Sequence, residues 1–163
     1  MTSFLSTFVN KVDRKGRVSV PAPFRAALAG QGFQGIVAYP SLTDPAIDAI
    51  GRDLLDQMIG RRFDRTLEEG DFERVLLGGG ADRMVETVLA MVSELPFDGE
   101  GRIVLPKSLA DSAEITDRAA FAGLGTRFQI WAPEAFERHQ AAAIAGLRSR
   151  LADNGGDGKE GAG

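Results

Sequence analysis

Lys11, Arg14, Lys15 and Arg17 place four positive charges within seven residues, and Asp13 alone opposes them. The local charge over 11–17 is +3, in a chain whose net charge is −4. A basic cluster on a short turn can neutralise phosphate groups. The acidic remainder argues against indiscriminate nucleic-acid binding, so the distribution of charge matters more than its sum. Asp13, Gly16 and Arg17 form an Asp-x-x-Gly-Arg motif. Its Asp can bond backbone amides ahead of it, its Gly can take a positive φ, and its Arg is then held at a fixed point. An Asp four residues before an Arg can also pair with it and orient its fork. For Asp13, Asp98 and Arg102 that pairing reads first as a staple of the fold. For Arg17, among Arg14 and Lys15, it reads first as a site.

The elements that must position this turn occur twice. Val12-Asp13-Arg14-Lys15-Gly16-Arg17-Val18-Ser19-Val20-Pro21 returns as Phe97-Asp98-Gly99-Glu100-Gly101-Arg102-Ile103-Val104-Leu105-Pro106, an offset of 85. Farther on, Ile47, Ile50 and Leu55 fall opposite Phe128, Trp131 and Phe136, an offset of 81. An internal repeat decides the architecture, and here it implies two related halves. Each alone would bury a thin core, so the two are expected to share a core or lend strands to each other. The copies agree in backbone signal and differ in charge. Residues 96–102 hold Asp98 and Glu100 against Arg102, a local charge of −1. This difference reads as a division of labour.

Local signals predict a β-rich stretch at Phe4–Val9 and a strand–turn–strand over Val12–Val20. Pro21 ends that strand, and Pro23 opens a short helix carrying Phe24, Ala27 and Leu28. Strands follow at Gly35–Tyr39 and Ala46–Ile50, then a helix over 51–59. Residues 60–80 read as a connector ending in Gly78-Gly79-Gly80, and 81–92 as a helix. The second copy is expected to give a strand at Ile103–Leu105, a short helix with Leu109, and strands at Ala119–Ala122 and Phe128–Trp131. A helix opened by Pro133 should then run to about Leu151. The domains are therefore drawn as 1–59, a linker with helix at 60–93, a second half at 94–151, and a Gly-rich, disordered tail at 152–163.

Other chemistry finds little support. The chain has no Cys and one His, His139, so thiolate and His-rich metal sites are excluded. Gly78–Gly80 lacks the Lys-Ser/Thr of a phosphate loop. Glu68, Glu69 and Asp71 read as linker charge, and Trp131 and Tyr39 as core or interface residues. No nucleophile–base pair or general acid/base pair stands out, so an enzyme is not expected, nor a cofactor. No apolar run approaches the ~20 residues of a membrane span, and no signal-peptide pattern opens the chain. The expected location is cytoplasmic.

The two Asp-x-x-Gly-Arg runs, each closing on Pro, resemble the MraZ family, as does Phe128-Gln129-Ile130-Trp131 before a Pro-initiated helix. The resemblance covers roughly 1–150. It implies an α+β, mainly β fold: two AbrB-like (SpoVT/AbrB) swapped-hairpin β-α-β halves in a pseudo-symmetric barrel, with linking and C-terminal helices. It implies a sequence-specific DNA-binding transcriptional regulator, usually a repressor, associated with the nucleoid. Such a protein acts as a closed homo-oligomeric ring on short G-rich direct repeats upstream of its own gene, which heads a cell-division and cell-wall cluster. By position, Arg17 would contact base or phosphate, with Lys15, Arg14 and Lys11 beside it. Asp13, Gly16, Asp98, Gly101 and Arg102 would shape the turns, Arg102 serving structure or a protomer interface. The chain departs from the family where a Leu-Leu-Gly-like segment usually precedes the second turn: Leu76-Leu77-Gly78 lies too early. An AbrB-like antitoxin or protein-interaction module is the alternative, and a purely structural ring a further one.

Overall fold

The computed structural model describes residues 3–70 and 83–160. The connector glycines 78–80, Asp71 and Leu76-Leu77-Gly78 fall outside that range. Among the described residues, eight strands and five helices follow in chain order. The first copy gives β1 (Thr7–Lys11), β2 (Arg17–Ser19), α1 (Ala22–Ala27), β3 (Gly35–Pro40) and β4 (Ile47–Ile50). Then come α2 (Arg52–Glu69) and α3 (Arg83–Met91). The second copy gives β5 (Ser93–Pro96), β6 (Arg102–Val104), α4 (Lys107–Ser112), β7 (Arg118–Gly123) and β8 (Phe128–Trp131), and α5 (Pro133–Glu160) follows.

The two copies lend strands to each other. Six strands form one antiparallel sheet in the order β1-β7-β8-β4-β3-β5, and β2 pairs with β6 in a separate ribbon. Thus β1 lies against β7 of the other copy, and β5 against β3. The fold is α+β and mainly β. The sheet ends openly at β1 and β5, and no hydrogen-bonded barrel closes among the described strands.

The register carries the repeat's symmetry. In the ribbon, Arg17 faces Val104, Val18 faces Ile103 and Ser19 faces Arg102, so the offset of 85 maps the pairing onto itself. Between β4 and β8, Ile47 faces Ile130, Asp48 faces Gln129 and Ala49 faces Phe128, and the offset of 81 does the same. At the edges, Lys11↔Arg118 corresponds to Pro96↔Gly35, an offset of 83 for β3 and β7. The four extra residues of the first copy therefore divide evenly, two before β3 and two between β3 and β4.

Burial follows from position in the sheet. The inner strands β4 and β8 are buried at every residue, as parts of a sheet covered on both faces must be. The edge strand β1 alternates instead. Phe24 of α1 packs edge-on against Phe4 at 5.3 Å and Phe8 at 5.6 Å, and meets Phe128 of β8 at 4.9 Å. One core thus draws on both copies. Its polar exception sits where β4 meets β8. Gln129 Nε2 and Arg127 Nη1 both donate to Asp48 Oδ1, at 2.9 and 2.8 Å, and Trp131 Nε1 donates to Gln129 Oε1 at 3.0 Å. Buried polar groups joined this way are satisfied and fix the β4–β8 register. Trp131 is a core residue, 1% exposed.

Four sequence expectations are corrected. The first strand begins at Thr7, and Phe4 makes only an isolated bridge to Gly125, because Ser6 takes a positive φ of 71° and breaks the extended run. The connector expected from 60 is helical to Glu69. One interior Gly60 costs about 1 kcal/mol, and the good helix formers around it outweigh that. Ser93–Pro96 is a strand that alternation did not reveal, since only Leu95 of its four residues is buried. Residues 152–160, expected as disordered tail, continue helix α5. The Ala-rich stretch before them supplies the costly nucleus, after which each added residue needs only one further bond.

Residues 133–160 form their own unit, the single helix α5. His139 is exposed on it, as are Ile144, Leu147 and Leu151.

Candidate nucleic-acid interface

Each Asp-x-x-Gly-Arg run closes on itself. Asp13 Oδ1 accepts from the backbone N–H of Lys15 and of Arg17, both at 2.9 Å, and Arg17 Nε donates to Asp13 Oδ2 at 2.7 Å. Gly16 N donates to Asp13 O at 3.0 Å, with Gly16 at a φ of 80°. An L side chain there would be strained, and its Cβ would stand 3.0 Å from Leu105 O. The second copy repeats this geometry. Asp98 Oδ1 accepts from Glu100 N and Arg102 N at 2.9 Å, Arg102 Nε donates to Asp98 Oδ2 at 2.9 Å, and Gly101 has a φ of 76°.

The turns are also bolted to each other's strands. Leu105 N donates to Gly16 O at 2.9 Å, and Val20 N donates to Gly101 O at 3.2 Å. Between them, Val18 and Ile103 of the ribbon point into the core, each 1% exposed. Strand alternation then sends Arg17, Ser19, Arg102 and Val104 to the outer face. On that face Arg17 and Arg102 are diagonal neighbours, a relation that spans about 7–8 Å between backbones.

The two arginines differ in what remains available. The pair with Asp13 occupies the Nε edge of Arg17 and leaves both terminal nitrogens outside it. Arg14 and Lys15 are exposed in the same turn, and Lys11 is exposed at the end of β1. Arg102 has a second carboxylate on its fork: Nη2 lies 3.4 Å from Glu100 Oε2. The first turn therefore offers an oriented guanidinium end with exposed cations near it, whereas in the second turn Glu100 takes the end of Arg102 and the further cation, Arg25, is partly buried against Gly101. That edge suits a bidentate acceptor, a phosphate or a base edge with two acceptors.

Backbone donation from Arg17 holds the Asp13 carboxyl below its usual 3.8, and donation from Arg102 does the same for Asp98. Arg102 is raised by its hydrogen bond to Asp98. A depressed carboxylate adds stability that is present above the unfolded value and lost as pH falls through the folded one. The turns should therefore hold their geometry unchanged across about pH 5–8 and loosen only below 3.8. Carboxyl-carbon NMR titration should give midpoints below 3.8 for both residues. A midpoint at or above that value would contradict the hydrogen bonding described here.

Two participants escaped the sequence reading. Arg25 of α1 donates from Nε to Val20 O at 3.0 Å and lies where a Cβ on Gly101 would project. Its counterpart in the second copy is Ala110, so nothing in the repeat marked it. Asn10 Nδ2 donates to Ser19 O at 2.7 Å and ties β1 to the ribbon. Elsewhere, no group of three or more metal-ligating side chains occurs among the described residues. No helix of the described residues is long and apolar enough to cross a membrane.

Comparison with known proteins identifies the family. Residues 89–153 match a family described as "MraZ protein, putative antitoxin-like". A Rickettsia akari protein named transcriptional regulator MraZ is 39% identical over 143 residues, covering 88% of this chain and 90% of the relative. Proteins of the same name from Rickettsia rickettsii and Rickettsia bellii are 41% and 44% identical over the same shares of each chain. Transcriptional regulators are not a class of enzyme. With identity of this order along nearly the whole chain, and both Asp-x-x-Gly-Arg turns built alike, the chain belongs to the MraZ family.

Proposed function

We propose that the chain is a sequence-specific DNA-binding transcriptional regulator that reads duplex DNA through its first turn. The observation that carries this is the oriented, uncommitted end of Arg17 on the outer ribbon face, with Arg14 and Lys15 exposed beside it. Arg17 suits the O6/N7 edge of guanine in the major groove, while Lys15, Arg14 and Lys11 suit phosphates. Its place is the cytoplasm, at the nucleoid, and it uses no cofactor. The targets are short G-rich direct repeats upstream of its own gene. The effect is repression of a cell-division and cell-wall cluster. The halves 1–59 and 94–151 act as AbrB-like swapped-hairpin units of one pseudo-symmetric fold, a reading that the mirrored register of β2–β6 and β4–β8 supports.

The working form is a closed ring of copies. Support comes from apolar surface that the described residues leave uncovered. Met58, Ile59 and Phe63 of α2 face Met84 and Val85 of α3 across an open groove of about 500 Å³. Patches of this kind mark association surfaces. One protomer offers few cations, so affinity must come from several protomers on successive repeats. Duplexes carrying one, two and three copies of the repeat should therefore bind with steeply rising affinity, on the order of 10²-fold or more per added copy. Affinity that did not change with copy number would refute the ring reading.

A second reading, an antitoxin-like protein-interaction module, is favoured by α5, whose Ile144, Leu147 and Leu151 are exposed at helical spacing. Purified chain that captured a protein partner and bound no DNA would select it.

A further inference from the structure

The second turn holds an arginine on the same exposed face as Arg17, yet surrounds it differently. Glu100 stands at the place of Lys15, 85 residues on. Its side chain is 74% exposed, and its carboxylate lies 3.4 Å from Arg102 Nη2. The turn does not need this ion pair. Asp98 already fixes Arg102 through Nε and receives the backbone N–H groups of Glu100 and Arg102. An exposed, long ion pair adds little to stability. Its effect is electrostatic and local: Arg102 ends between two carboxylates, and with Arg25 against Gly101 the second turn is close to neutral where the first is strongly basic.

We propose that Glu100 is a specificity-determining residue, which withholds Arg102 from DNA and confines phosphate and base recognition to the Arg17 turn. This rests on the DNA-binding reading above. A face with two equal basic turns, diagonal across one short ribbon, would grip any duplex backbone with both. With Glu100 in place, one turn attracts and the other is close to neutral, so DNA matched to the Arg17 turn gains most. Selectivity built by withholding a contact from the wrong partner trades affinity for discrimination.

The test compares Glu100→Gln and Glu100→Lys with the wild-type chain, and uses Arg17→Ala as reference. Binding is measured to a duplex from upstream of the chain's own gene and to a scrambled duplex, across a salt series. Both Glu100 variants keep the backbone bonds of the turn and should fold with unchanged melting temperature. Glu100→Lys should bind the scrambled duplex roughly fivefold more tightly at 0.15 M salt for each additional phosphate neutralised, with a log–log salt slope steeper by about 0.9. Its preference for the native duplex should fall, and Glu100→Gln should move the same way by less. Wild-type binding that depends on Arg17, with both Glu100 variants unchanged in slope and preference, would overturn the role of Glu100 alone. A wild-type chain with no salt-sensitive DNA binding would overturn the DNA reading and this inference with it.

Discussion

Arg17→Ala should cost the upstream duplex at least about 25-fold in affinity while leaving fold and assembly intact. A well-placed bidentate arginine–base pairing is worth about 1–3 kcal/mol, or roughly 5- to 150-fold for one protomer. Two engaged protomers multiply the smallest of these effects to about 25-fold. The fold should survive because Asp13 still receives Lys15 N and residue 17 N at 2.9 Å, and the ion pair that is removed is about one-third exposed on each side. The salt slope separates two modes of recognition. If Arg17 neutralises a phosphate, its removal flattens the slope by about 0.9 per protomer. If it reads a base, its removal abolishes preference for the native sequence and leaves the slope unchanged. Fluorescence anisotropy at several salt concentrations, with circular dichroism as the folding control, reads all three quantities. A folded variant that bound as tightly as wild type would remove Arg17 from the interface.

Phe24→Ala should produce the largest loss of stability, about 3–5 kcal/mol. Phe24 is fully buried and touches the rings of Phe4, Phe8 and Phe128, which come from both copies. Removing it opens a cavity at the seam where β8 and the N-terminal segment meet α1, and rigid neighbours on a covered sheet can collapse into it only partly. For a chain of this size the melting temperature should fall by about 6–20 °C. The ribbon turns stand on the same core through Val18 and Ile103. A denaturant titration showing a loss under about 1 kcal/mol would mean that the aromatic cluster is not the common support of the two copies.

What the sequence made legible was local or repeated. Asp13, Gly16 and Arg17 announce their turn because every bond within it spans four residues or fewer. The offsets of 85 and 81 announced two copies, and the register of β2–β6 and β4–β8 follows from them once strands are exchanged. The exchange itself was not legible as a pairing. Nothing local to Thr7–Lys11 says that its partner is β7, more than 100 residues away. For the same reason the ribbon, which sets Arg102 beside Arg17, was invisible, and Arg102 was assigned to structure or interface on charge alone. Arg25 was hidden because its role belongs to Gly101, a residue of the other copy. Nothing local in the sequence sets Asp48 or Gln129 apart from other polar residues. Only their meeting where β4 pairs with β8 explains two buried polar side chains in an otherwise apolar core.

The strand β5 and the extension of α2 show a different limit. Ser93-Glu94-Leu95-Pro96 is an edge strand that buries one residue, so it has no alternation to read. Its Pro is tolerated because an edge strand need not donate on both sides. The helix expected over 51–59 runs on through Gly60, because a single Gly is a modest penalty inside a long helix and a stop only where the chain turns left-handed. Among the described residues Gly70, with a φ of 69°, has that conformation and follows the helix directly.

The most direct test of the account is a salt-series titration of the wild-type chain. The native upstream duplex and a scrambled duplex of equal length would be measured side by side. If each engaged protomer neutralises two phosphates, log K should fall against log salt with a slope of about −1.8 per protomer. Native DNA should be preferred by on the order of 10³ at physiological salt, as for specific regulators in general. Equal, weak binding to both duplexes, with or without a salt slope, would contradict sequence-specific reading by the first turn.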